Sequence, residues 1–228
     1  MAQDENAAYP KGSDGRPVTL EAQEGDGARR FSPSVARNRD AIAEIYQKVM
    51  PRSGAVLEIG SGSGEHGVFF TDLFPELSWF FSDYDEGARD SIAAWIEHVG
   101  RAGLFGPYTV DATKGCWGDE LEALRFDGLF SANVIHISPF SVTEGLLAAA
   151  GRLLHKGGRL FLYGPFARHG EMADSNRRFD EDLKRRDPSW GVRDIYLDLL
   201  PVAERSGLAL SEIIPMPKNN HSVVFRLG

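Results

Sequence analysis

The most informative segment of the chain reads Val56-Leu57-Glu58-Ile59-Gly60-Ser61-Gly62-Ser63-Gly64-Glu65-His66. Its first residues continue a short, mostly apolar run that is typical of a buried strand, and the alternating glycines predict a tight turn that opens a helix. In an open α/β sheet, such a turn lies at the carboxyl end of a strand, where ligands bind. Glycine permits a positive φ there and lets a ligand approach the backbone. The segment therefore predicts a ligand-binding strand, turn and helix.

The same order of apolar run, turn and helical pattern recurs along the chain, after a first helical pattern that runs from Ser32 until Pro51 stops it. The predicted strands lie near Ala55–Ile59, Ser78–Ser82, Tyr108–Val110, Phe126–Ala132, Arg159–Tyr163, Leu208–Ile214 and Ser222–Arg226. The further predicted helices lie near His66–Phe74, Glu86–Val99, Pro139–Leu154, Ser175–Arg186 and Ile195–Arg205. Because parallel strands need long crossovers, this alternation predicts an α/β fold with a single Rossmann-like, doubly wound sheet of seven strands. The sheet should be mostly parallel, with an antiparallel last strand because no helix precedes it.

Composition narrows the classes of protein and partner. The 228 residues carry a formal net charge of -8 and one cysteine, Cys116. An acidic chain without a basic stripe argues against a nucleic-acid partner, and no apolar run approaches the about 18 residues that span a bilayer. A lone cysteine cannot form an internal disulfide, so we expect a reducing, cytoplasmic location. We expect residues 1–30 to form a flexible leader or lid and residues 31–228 to form the domain; the oligomeric state stays open.

The glycine turn could serve two classes of ligand, dinucleotides and S-adenosylmethionine. The dinucleotide fingerprint Gly-x-Gly-x-x-Gly, counted from Gly60, meets Glu65 at its third glycine, which disfavours NAD. An acidic residue two positions before the first glycine, as Glu58 stands, resembles motif I of class I S-adenosylmethionine-dependent methyltransferases. A carboxylate also suits the cationic ammonium and sulfonium of that cofactor. The turn therefore favours S-adenosylmethionine.

Polar residues follow three more of the predicted strands. Asp83 is placed to accept hydrogen bonds from the ribose hydroxyls, with Asp85 as its rival, although either could instead cap the next helix. Asp111 could accept from the adenine amino group or hold a turn. Asn133 would lie beside the methionine moiety. Together with Glu58, these residues predict a cofactor site along one sheet edge.

A closer family resemblance rests on a joint set of short phrases. They are Ala36-Arg37-Asn38-Arg39, the glycine turn with its flanks, Ser82-Asp83-Tyr84-Asp85, Asn133-Val134-Ile135-His136-Ile137-Ser138-Pro139, Thr143-Glu144-Gly145-Leu146, Tyr163-Gly164-Pro165-Phe166, Ser175-Asn176, Phe179-Asp180, Pro188-Ser189-Trp190-Gly191-Val192-Arg193-Asp194 and Met216-Pro217-Lys218-Asn219-Asn220. From Arg37 onward the chain resembles the methyltransferase-like family that includes vertebrate methyltransferase-like protein twenty-six and bacterial homologues. The resemblance implies the class I methyltransferase fold, S-adenosyl-L-methionine as cofactor and S-adenosyl-L-homocysteine as product. It leaves the methyl acceptor undefined.

The candidate site residues fall into three groups. The cofactor group is Arg37, Asn38, Glu58, Gly60, Ser61, Gly62, Gly64, His66, Asp83, Asp85, Asp111 and Asn133. The catalytic candidates are His136, a general base or part of the adenosyl pocket, and Tyr163, a ring near the sulfonium or a plain strand aromatic. The acceptor group is Phe166, Asn176, Phe179, Trp190, Arg193, Asn219 and Asn220, several of them on a long 164–193 segment typical of a lid. No metal is expected, because the six histidines are far apart in sequence and no Cys-x-x-Cys occurs.

Two functions remain open from the sequence. The first is a methyltransferase that acts on an O, N or S atom of a small molecule. Catalysis would then depend chiefly on positioning the acceptor and keeping it unprotonated. The alternative is a catalytically silent module that binds the cofactor as a sensor or scaffold.

Overall fold

The computed structural model describes residues 22–228, which divide into two compact units. Of the described residues, the first unit comprises 22–44 and 52–110, and the second comprises 45–51 and 111–228. Within the described residues, no helix is both long enough and apolar enough to cross a membrane.

The first unit contains a short antiparallel hairpin and a parallel sheet. Its elements are β1 (Glu24–Asp26), β2 (Arg29–Phe31), α1 (Pro33–Val49, whose end belongs to the second unit), β3 (Ser53–Ile59), α2 (Glu65–Leu73), β4 (Glu76–Asp83), α3 (Glu86–Val99) and β5 (Leu104–Thr109). The strand order is β5-β4-β3. Both neighbouring pairs are parallel, with Val56 opposite Trp79 and Trp79 opposite Leu104.

Close packing of α2 on β4 fixes the direction in which α2 leaves the glycine turn. A Cβ atom at Gly67 would lie 2.3 Å from the ring of Phe81 and 2.4 Å from Nε1 of Trp79. Only glycine therefore fits at this point of the helix. Phe70 of the same helix is fully buried, as are Trp79 and Phe81 of β4.

The second unit begins with a short helix and continues through four longer strands. Its elements are α4 (Asp119–Glu122), β6 (Phe126–Ala132), α5 (Phe140–Leu153), β7 (Leu154–Ala167), α6 (Asp174–Arg186), β8 (Arg193–Asp194), a π-helical turn (Ile195–Leu199), α7 (Leu200–Arg205), β9 (Leu208–Met216), a 3₁₀ turn (Pro217–Asn219) and β10 (Asn220–Leu227). The main strand order is β6-β7-β10-β9, and β8 pairs with β7. β6 and β7 are parallel, whereas β10 is antiparallel to both of its neighbours.

Aromatic and glycine contacts hold the second unit together. Tyr46, from the end of α1, contacts Phe130 of β6 and Phe161 of β7 at centroid distances of 6.3 Å and 6.2 Å. On α5, a Cβ atom at Gly145 would lie only 1.6 Å from the carbonyl oxygen of Ala112. The helix thus packs directly against the backbone that follows the first unit's last strand in sequence.

The predicted fold class is confirmed: the fold is α/β, with a mostly parallel sheet and an antiparallel last strand. The strand orders of the two units, β5-β4-β3 and β6-β7-β10-β9, together contain the seven predicted strands. The short strand β8 was not predicted. β5 begins four residues earlier than predicted, and β7 is longer at both ends. Residues 1–21 of the predicted leader lie outside the described residues, while its last part contributes to the β1–β2 hairpin, so the leader or lid stays a prediction.

Candidate functional site

The glycine turn follows β3 in the first unit, and its backbone is tied to the end of β4. The N–H groups of Gly60 and Ser61 donate to the carbonyl oxygen of Ser82, at 3.0 Å and 2.9 Å. Gly62 has φ of 57° and Gly64 has φ of 91°, a region that favours glycine. A Cβ atom at Gly62 would meet nothing within 4 Å. The middle of the turn therefore faces open space in which a ligand could approach the backbone.

Asp83, at the end of β4, lies directly beside this turn. Its Oδ2 accepts a hydrogen bond from the N–H of Gly62 at 2.8 Å, and its Oδ1 accepts one from the N–H of Asp85 at 2.9 Å. Burial raises the pKa of Asp83, and these two donors act in the opposite direction. Since a carboxylate has about four lone-pair sites, each oxygen can accept a further bond. The arrangement fits a pair of hydroxyl donors.

Asp85 caps the next helix, which is the alternative role considered for it from the sequence. Its Oδ1 accepts from the N–H of Ala88 at 2.8 Å, and the same atom lies 3.7 Å from a guanidinium nitrogen of Arg30. Asp85 is buried. Of the two rivals, Asp83 bonds the glycine turn directly, whereas Asp85 caps α3 and lies near Arg30.

A buried network joins α1, α2 and β3 behind the turn. Oε2 of Glu58 accepts from Nε1 of Trp79 at 3.0 Å, and its Oε1 lies 3.9 Å from Nδ1 of His66. Nε2 of His66 lies 2.9 Å from Oδ1 of Asn38. As an amide oxygen only accepts, this bond places the imidazole proton on Nε2 and leaves Nδ1 facing Glu58.

Burial sets the charge of this network. It raises the pKa of Glu58 to about 8 and, together with the nearby charge of Arg39, lowers that of His66 to about 4. Both groups are therefore mainly uncharged at neutral pH. The sequence predicted that the Glu58 carboxylate faces the cationic groups of the cofactor. In the structure, the side chain is directed inward and accepts a hydrogen bond from Trp79. A contact between Glu58 and a cofactor stays a prediction.

The β1–β2 hairpin is attached to the same turn through contacts that sequence reasoning missed. Oε2 of Glu65 accepts from the N–H of Ser32 at 2.5 Å and from Oγ of Ser63 at 2.8 Å. Oγ of Ser91 accepts from the N–H of Arg30 and donates to the carbonyl oxygen of Ser63. The hairpin thus buttresses the turn. Of these residues, only Arg30 belongs to residues 1–30, the segment predicted to be a leader.

Asp111 holds a turn in the second unit, the alternative considered for it. Its Oδ1 accepts from both the N–H and the hydroxyl of Thr113, at 3.0 Å and 2.6 Å. An adenine contact by Asp111 stays a prediction.

Around the end of β6 and β7, the second unit brings Asn133, His136 and Gly164 together. A Cβ atom at Gly164 would lie 3.0 Å from Cε1 of His136 and 3.6 Å from Oδ1 of Asn133. The His136 ring contacts Phe179 of α6 edge to face at 5.7 Å. Nδ1 of His136 is buried and, among residues 22–228, has no hydrogen-bond partner. Burial, assisted by the charge of Arg193, lowers the pKa of His136 to about 3, so the ring is neutral.

Tyr163 does not join this cluster. It immediately precedes Gly164 in β7, and successive side chains of a strand face opposite sides of the sheet. Its hydroxyl accepts from Nδ2 of Asn220 at 2.9 Å. The two catalytic candidates, His136 and Tyr163, are therefore directed to different faces.

The acceptor group contains three amides. Asn176 and Asn219 connect α6 to the turn between β9 and β10, and Asn220 connects β10 to β7. Nδ2 of Asn176 donates to the carbonyl oxygen of Asn219, whose own Nδ2 donates to Oγ of Ser175, both at 2.9 Å. Asn220 makes the third link, to Tyr163. These bonds give the amides positions beside one another but occupy several of their polar atoms.

Arg193 organises loops rather than offering a free guanidinium. It donates from Nε to the carbonyl oxygen of Ile135 at 3.1 Å, and from Nη2 to those of Ser138 and Ser189 at 2.7 Å and 2.9 Å. Its guanidinium also lies 5.6 Å from the ring centroid of Phe140. An anionic acceptor at Arg193 stays a prediction.

Phe166 is buried and Trp190 is half-buried, while Arg37 is exposed on α1. Sequence reasoning also missed His221, whose Nδ1 is buried without a hydrogen-bond partner among the described residues. His221 lies opposite Gly164 in the β7–β10 register. In the sequence, the only sign of its place near the site was its position directly after Asn219 and Asn220.

In the described part of the chain, no three His, Cys, Asp or Glu side chains are grouped as a metal site requires.

Comparison with known proteins adds a family and a set of fold relatives. A family model described as "Protein of unknown function (DUF938)" matches residues 29–227. The chain is similar to an O-methyltransferase family protein from Burkholderia thailandensis, with a TM-score of 0.70 and 13% identity over 86% of this chain and 56% of that one. It is also similar to CalO1, a methyltransferase in calicheamicin biosynthesis solved in its SAH-bound form, with a TM-score of 0.67 and 16% identity over 86% and 54%.

A third relative is the mitomycin 7-O-methyltransferase MmcR, with a TM-score of 0.67 and 16% identity, covering 86% of this chain and 54% of that one. The chain thus spans little more than half the length of these three solved chains. At this level of identity the similarity shows a shared fold, and it agrees with the α/β architecture described above.

Proposed function

Because the chain belongs to the family described as "Protein of unknown function (DUF938)", whose model matches residues 29–227, we propose its function from the site itself. It is a methyltransferase that uses S-adenosyl-L-methionine, yields S-adenosyl-L-homocysteine and methylates an O, N or S atom of a small molecule. The proposal includes the finer resemblance to the methyltransferase-like protein twenty-six family and a cytoplasmic location.

The observation that carries the proposal is the Asp83 carboxylate beside the open glycine turn. Asp83 accepts backbone N–H bonds from Gly62 and Asp85 and keeps lone pairs for two hydroxyls. A vicinal ribose diol has the matching donors. The space beyond Gly62 lets a ligand lie against the backbone. The donor set therefore fits the adenosyl part of the cofactor.

The bulky Glu65 supports this cofactor over a dinucleotide. It stands at the first position of α2, where the dinucleotide fingerprint has a glycine. Its carboxylate is held there by Ser32 and Ser63. A negative group fixed at this helix terminus disfavours a pyrophosphate.

When bound, S-adenosylmethionine supplies a methyl carbon that is activated by the attached sulfonium. The chain then has to bind the acceptor, orient its nucleophilic atom and exclude water. The residues that we propose for the cofactor are Arg37, Asn38, Glu58, Gly60, Ser61, Gly62, Gly64, His66, Asp83, Asp85, Asp111 and Asn133. Those that we propose for the acceptor are Phe166, Asn176, Phe179, Trp190, Arg193, Asn219 and Asn220.

Of the two catalytic candidates, His136 has the clearer chemistry. Its neutral ring has an unpartnered, buried Nδ1. With a pKa of about 3 it is a weak base. We therefore propose that it orients the acceptor through a hydrogen bond, with only a minor part in proton removal. Tyr163, which is directed to the opposite face of β7, remains the candidate for a ring near the sulfonium only as an alternative to His136 at the reacting centre.

The fold relatives support the proposal by their own activities. CalO1 is a methyltransferase solved in its SAH-bound form, and MmcR is an O-methyltransferase. These properties belong to those proteins, and the present chain spans 54% of the length of each. They make small-molecule oxygen acceptors the first class to test.

The test is formation of S-adenosylhomocysteine, measured by mass spectrometry, with S-adenosylmethionine and a panel of phenols, carboxylic acids, amines and thiols. We expect acceptor-dependent product in at least one class, and a loss of product in Asp83→Asn. Asp72→Asn is the matched control, because Asp72 is an exposed carboxylate on α2. Tight cofactor binding without turnover of any acceptor would contradict the transferase and favour a silent binding module.

A further inference from the structure

The end of β7 continues into a tight turn that carries an arginine outside the sequence-based site. The main chains of Arg168 and Glu171 pair through two hydrogen bonds, at 2.8 Å and 3.0 Å, and His169 and Gly170 between them both have a positive φ. Oδ2 of Asp194 accepts from the N–H of Gly170 at 2.6 Å. These bonds hold the turn in place, so the backbone of Arg168 has a fixed position.

The Arg168 guanidinium is exposed and has no hydrogen bond or ion pair within residues 22–228. Its neighbour Glu171 bonds to it through the main chain. Other arginines of this unit are engaged, since Arg193 donates to three carbonyl oxygens and Arg185 pairs with Asp182 at 2.9 Å. An exposed arginine is often simply solvated, so the side chains beside Arg168 decide whether it has a ligand.

His221 is such a neighbour, and its Nδ1 is buried without a hydrogen-bond partner in the described part of the chain. It lies opposite Gly164 in the antiparallel pair of β7 and β10, and paired residues direct their side chains to one face of the sheet. Alternate residues of a strand share a face, so Arg168 follows Gly164 and Phe166 on that face. Burial lowers the pKa of His221, and the positive charge of Arg168 lowers it further. The two side chains are therefore near enough to interact.

His136 forms the floor of the same region. A Cβ atom at Gly164 would lie 3.1 Å from Nδ1 of His136, so the imidazole lies over the face of β7 that His221 shares. His136 is 3% exposed, whereas Asn133, Phe179 and His221 are half-buried. A buried polar side chain with half-buried neighbours is typical of the base of a shallow, solvent-facing site. Two unsatisfied imidazoles and an unpaired guanidinium thus occupy one face.

We propose that the methyl acceptor carries a carboxylate, which binds the guanidinium of Arg168 and the Nδ1–H of His221, while His136 orients the atom to be methylated. The inference rests on the proposed function and adds the class of acceptor, a small hydroxy, amino or thiol acid. A guanidinium offers a carboxylate two parallel donors, and a neutral imidazole can carry its proton on Nδ1. Arg168 follows Gly164 by four residues, about 13 Å of strand, which its long side chain and the carboxylate together can span.

The experiment measures binding of matched probes to the full chain by calorimetry, in the presence of saturating S-adenosylhomocysteine. The two members of each pair differ only in the acid group: salicylate and salicylamide, hydroxyphenylacetate and its amide, mercaptopropionate and its amide, and β-alanine and its amide. Phenyl phosphate represents the other common anion. Methylated product is measured for the same probes by mass spectrometry with S-adenosylmethionine.

The variants are Arg168→Met, Arg168→Lys, His221→Phe and His221→Asn. Phenylalanine keeps a ring without a hydrogen-bonding atom, whereas the asparagine amide nitrogen takes nearly the place of Nδ1. Arg205→Met is the control, because Arg205 is exposed at the end of α7. It precedes β9, whose first residue pairs with Leu227, at the opposite end of β10 from His221.

We expect the wild type to bind at least one carboxylate more tightly than its amide, by about 10- to 100-fold. Arg168→Met should lose this preference through weaker binding of the acid at unchanged affinity for the amide. Arg168→Lys should lie between the two, because an ammonium keeps the charge but not the fork. His221→Phe should weaken binding of the acid by about 10-fold, and His221→Asn should restore most of it. Arg205→Met should match the wild type.

Each contrary outcome overturns a different statement. A wild type that binds S-adenosylhomocysteine but prefers no acid to its amide, or binds none of the probes, would overturn the carboxylate and leave the proposed function standing. Tighter binding of phenyl phosphate than of any carboxylate would also overturn it. Equal losses for acid and amide in Arg168→Met would indicate a structural effect and refute the role of Arg168. A His221→Asn as weak as His221→Phe would remove His221 from the site. A wild type that does not bind S-adenosylhomocysteine would overturn the proposed function itself.

Discussion

Replacing Glu58 with glutamine should change how the stability of the protein depends on pH. Glu58 is almost fully buried, accepts a hydrogen bond from Trp79 and has a pKa raised to about 8. In the unfolded chain its pKa returns to the ordinary value of 4.5. The folded state therefore holds a proton that the unfolded state releases. Glutamine has nearly the shape of the protonated side chain and keeps an oxygen for Trp79, but it cannot titrate.

The sign and size follow from proton linkage. A pKa raised in the folded state contributes stability that is complete below about pH 4.5 and is lost as the pH rises toward 8. One proton of difference corresponds to about 1.4 kcal/mol per pH unit. Between pH 6.5 and 7.5, the unfolding free energy of the wild type should therefore fall by about 1 kcal/mol relative to Glu58→Gln. For a domain of this size, that equals about 2 to 4 °C in the midpoint.

Other groups titrate in this range but do so in both proteins. The pKa values of His66 and His136 are lowered to about 4 and about 3, so their contribution to stability increases as the pH rises through 6.5. The comparison with Glu58→Gln removes this contribution, since both proteins share it.

The assay is urea unfolding of the two proteins at pH 6.5 and at pH 7.5. Glu122→Gln is the control, because Glu122 is paired with Arg152 on the surface and its pKa is lowered, so it is ionised at both pH values. Its stability should follow the pH dependence of the wild type. A Glu58→Gln protein whose stability changes with pH in parallel with the wild type would refute the argument that Glu58 is protonated.

Three further substitutions test the packing and the site. Asp83→Asn should weaken S-adenosylhomocysteine binding by about 10-fold or more in calorimetry, because its amide cannot accept as both carboxylate oxygens do. Gly164→Ala should lower methyl transfer by about 10-fold at unchanged S-adenosylhomocysteine affinity, because its Cβ would displace the ring of His136. Gly145→Ala should lower the unfolding free energy by about 3 kcal/mol in urea unfolding, despite the higher helix propensity of alanine, because its Cβ would overlap the carbonyl oxygen of Ala112.

Matched controls accompany these substitutions. Gly115→Ala adds a methyl group where nothing lies within 4 Å and should leave stability almost unchanged. Asp72→Asn removes an exposed carboxylate and should leave cofactor affinity unchanged. The reasoning would be wrong if Gly145→Ala were as stable as Gly115→Ala, or if Asp83→Asn bound the cofactor as tightly as Asp72→Asn.

Local sequence signals were sufficient to predict the strand, glycine turn and helix formed by β3 and α2. Residues 53–59 form the strand, the glycines form the turn, and the helix begins at Glu65, one residue from the predicted start. Apolar periodicity and glycine positions are local properties, so they can be read from the sequence. The antiparallel last strand was predicted for the same reason, because no helical pattern separates β9 from β10.

Contacts between distant residues could not be predicted in this way. Pro165 suggests a break, yet β7 continues to Ala167, because β10 pairs with it up to Pro165 and β8 pairs with Phe166 and Ala167. The charge pattern does not reveal that Arg193 donates to Ile135, 58 residues away. The phase of α1 decides that Arg39 is directed inward and Arg37 outward, and a one-residue choice of this kind depends on tertiary packing.

The most direct test of the central claim is a thermal unfolding titration of the full chain with S-adenosylmethionine, S-adenosylhomocysteine and NAD. A ligand present at about 100 times its dissociation constant adds about 2.7 kcal/mol, which corresponds to about 5 to 10 °C in a domain of this size. We expect this increase with both adenosyl-sulfur ligands and none with NAD. An increase with NAD alone, or no increase with any of the three, would contradict the cofactor assignment and the proposed methyltransferase.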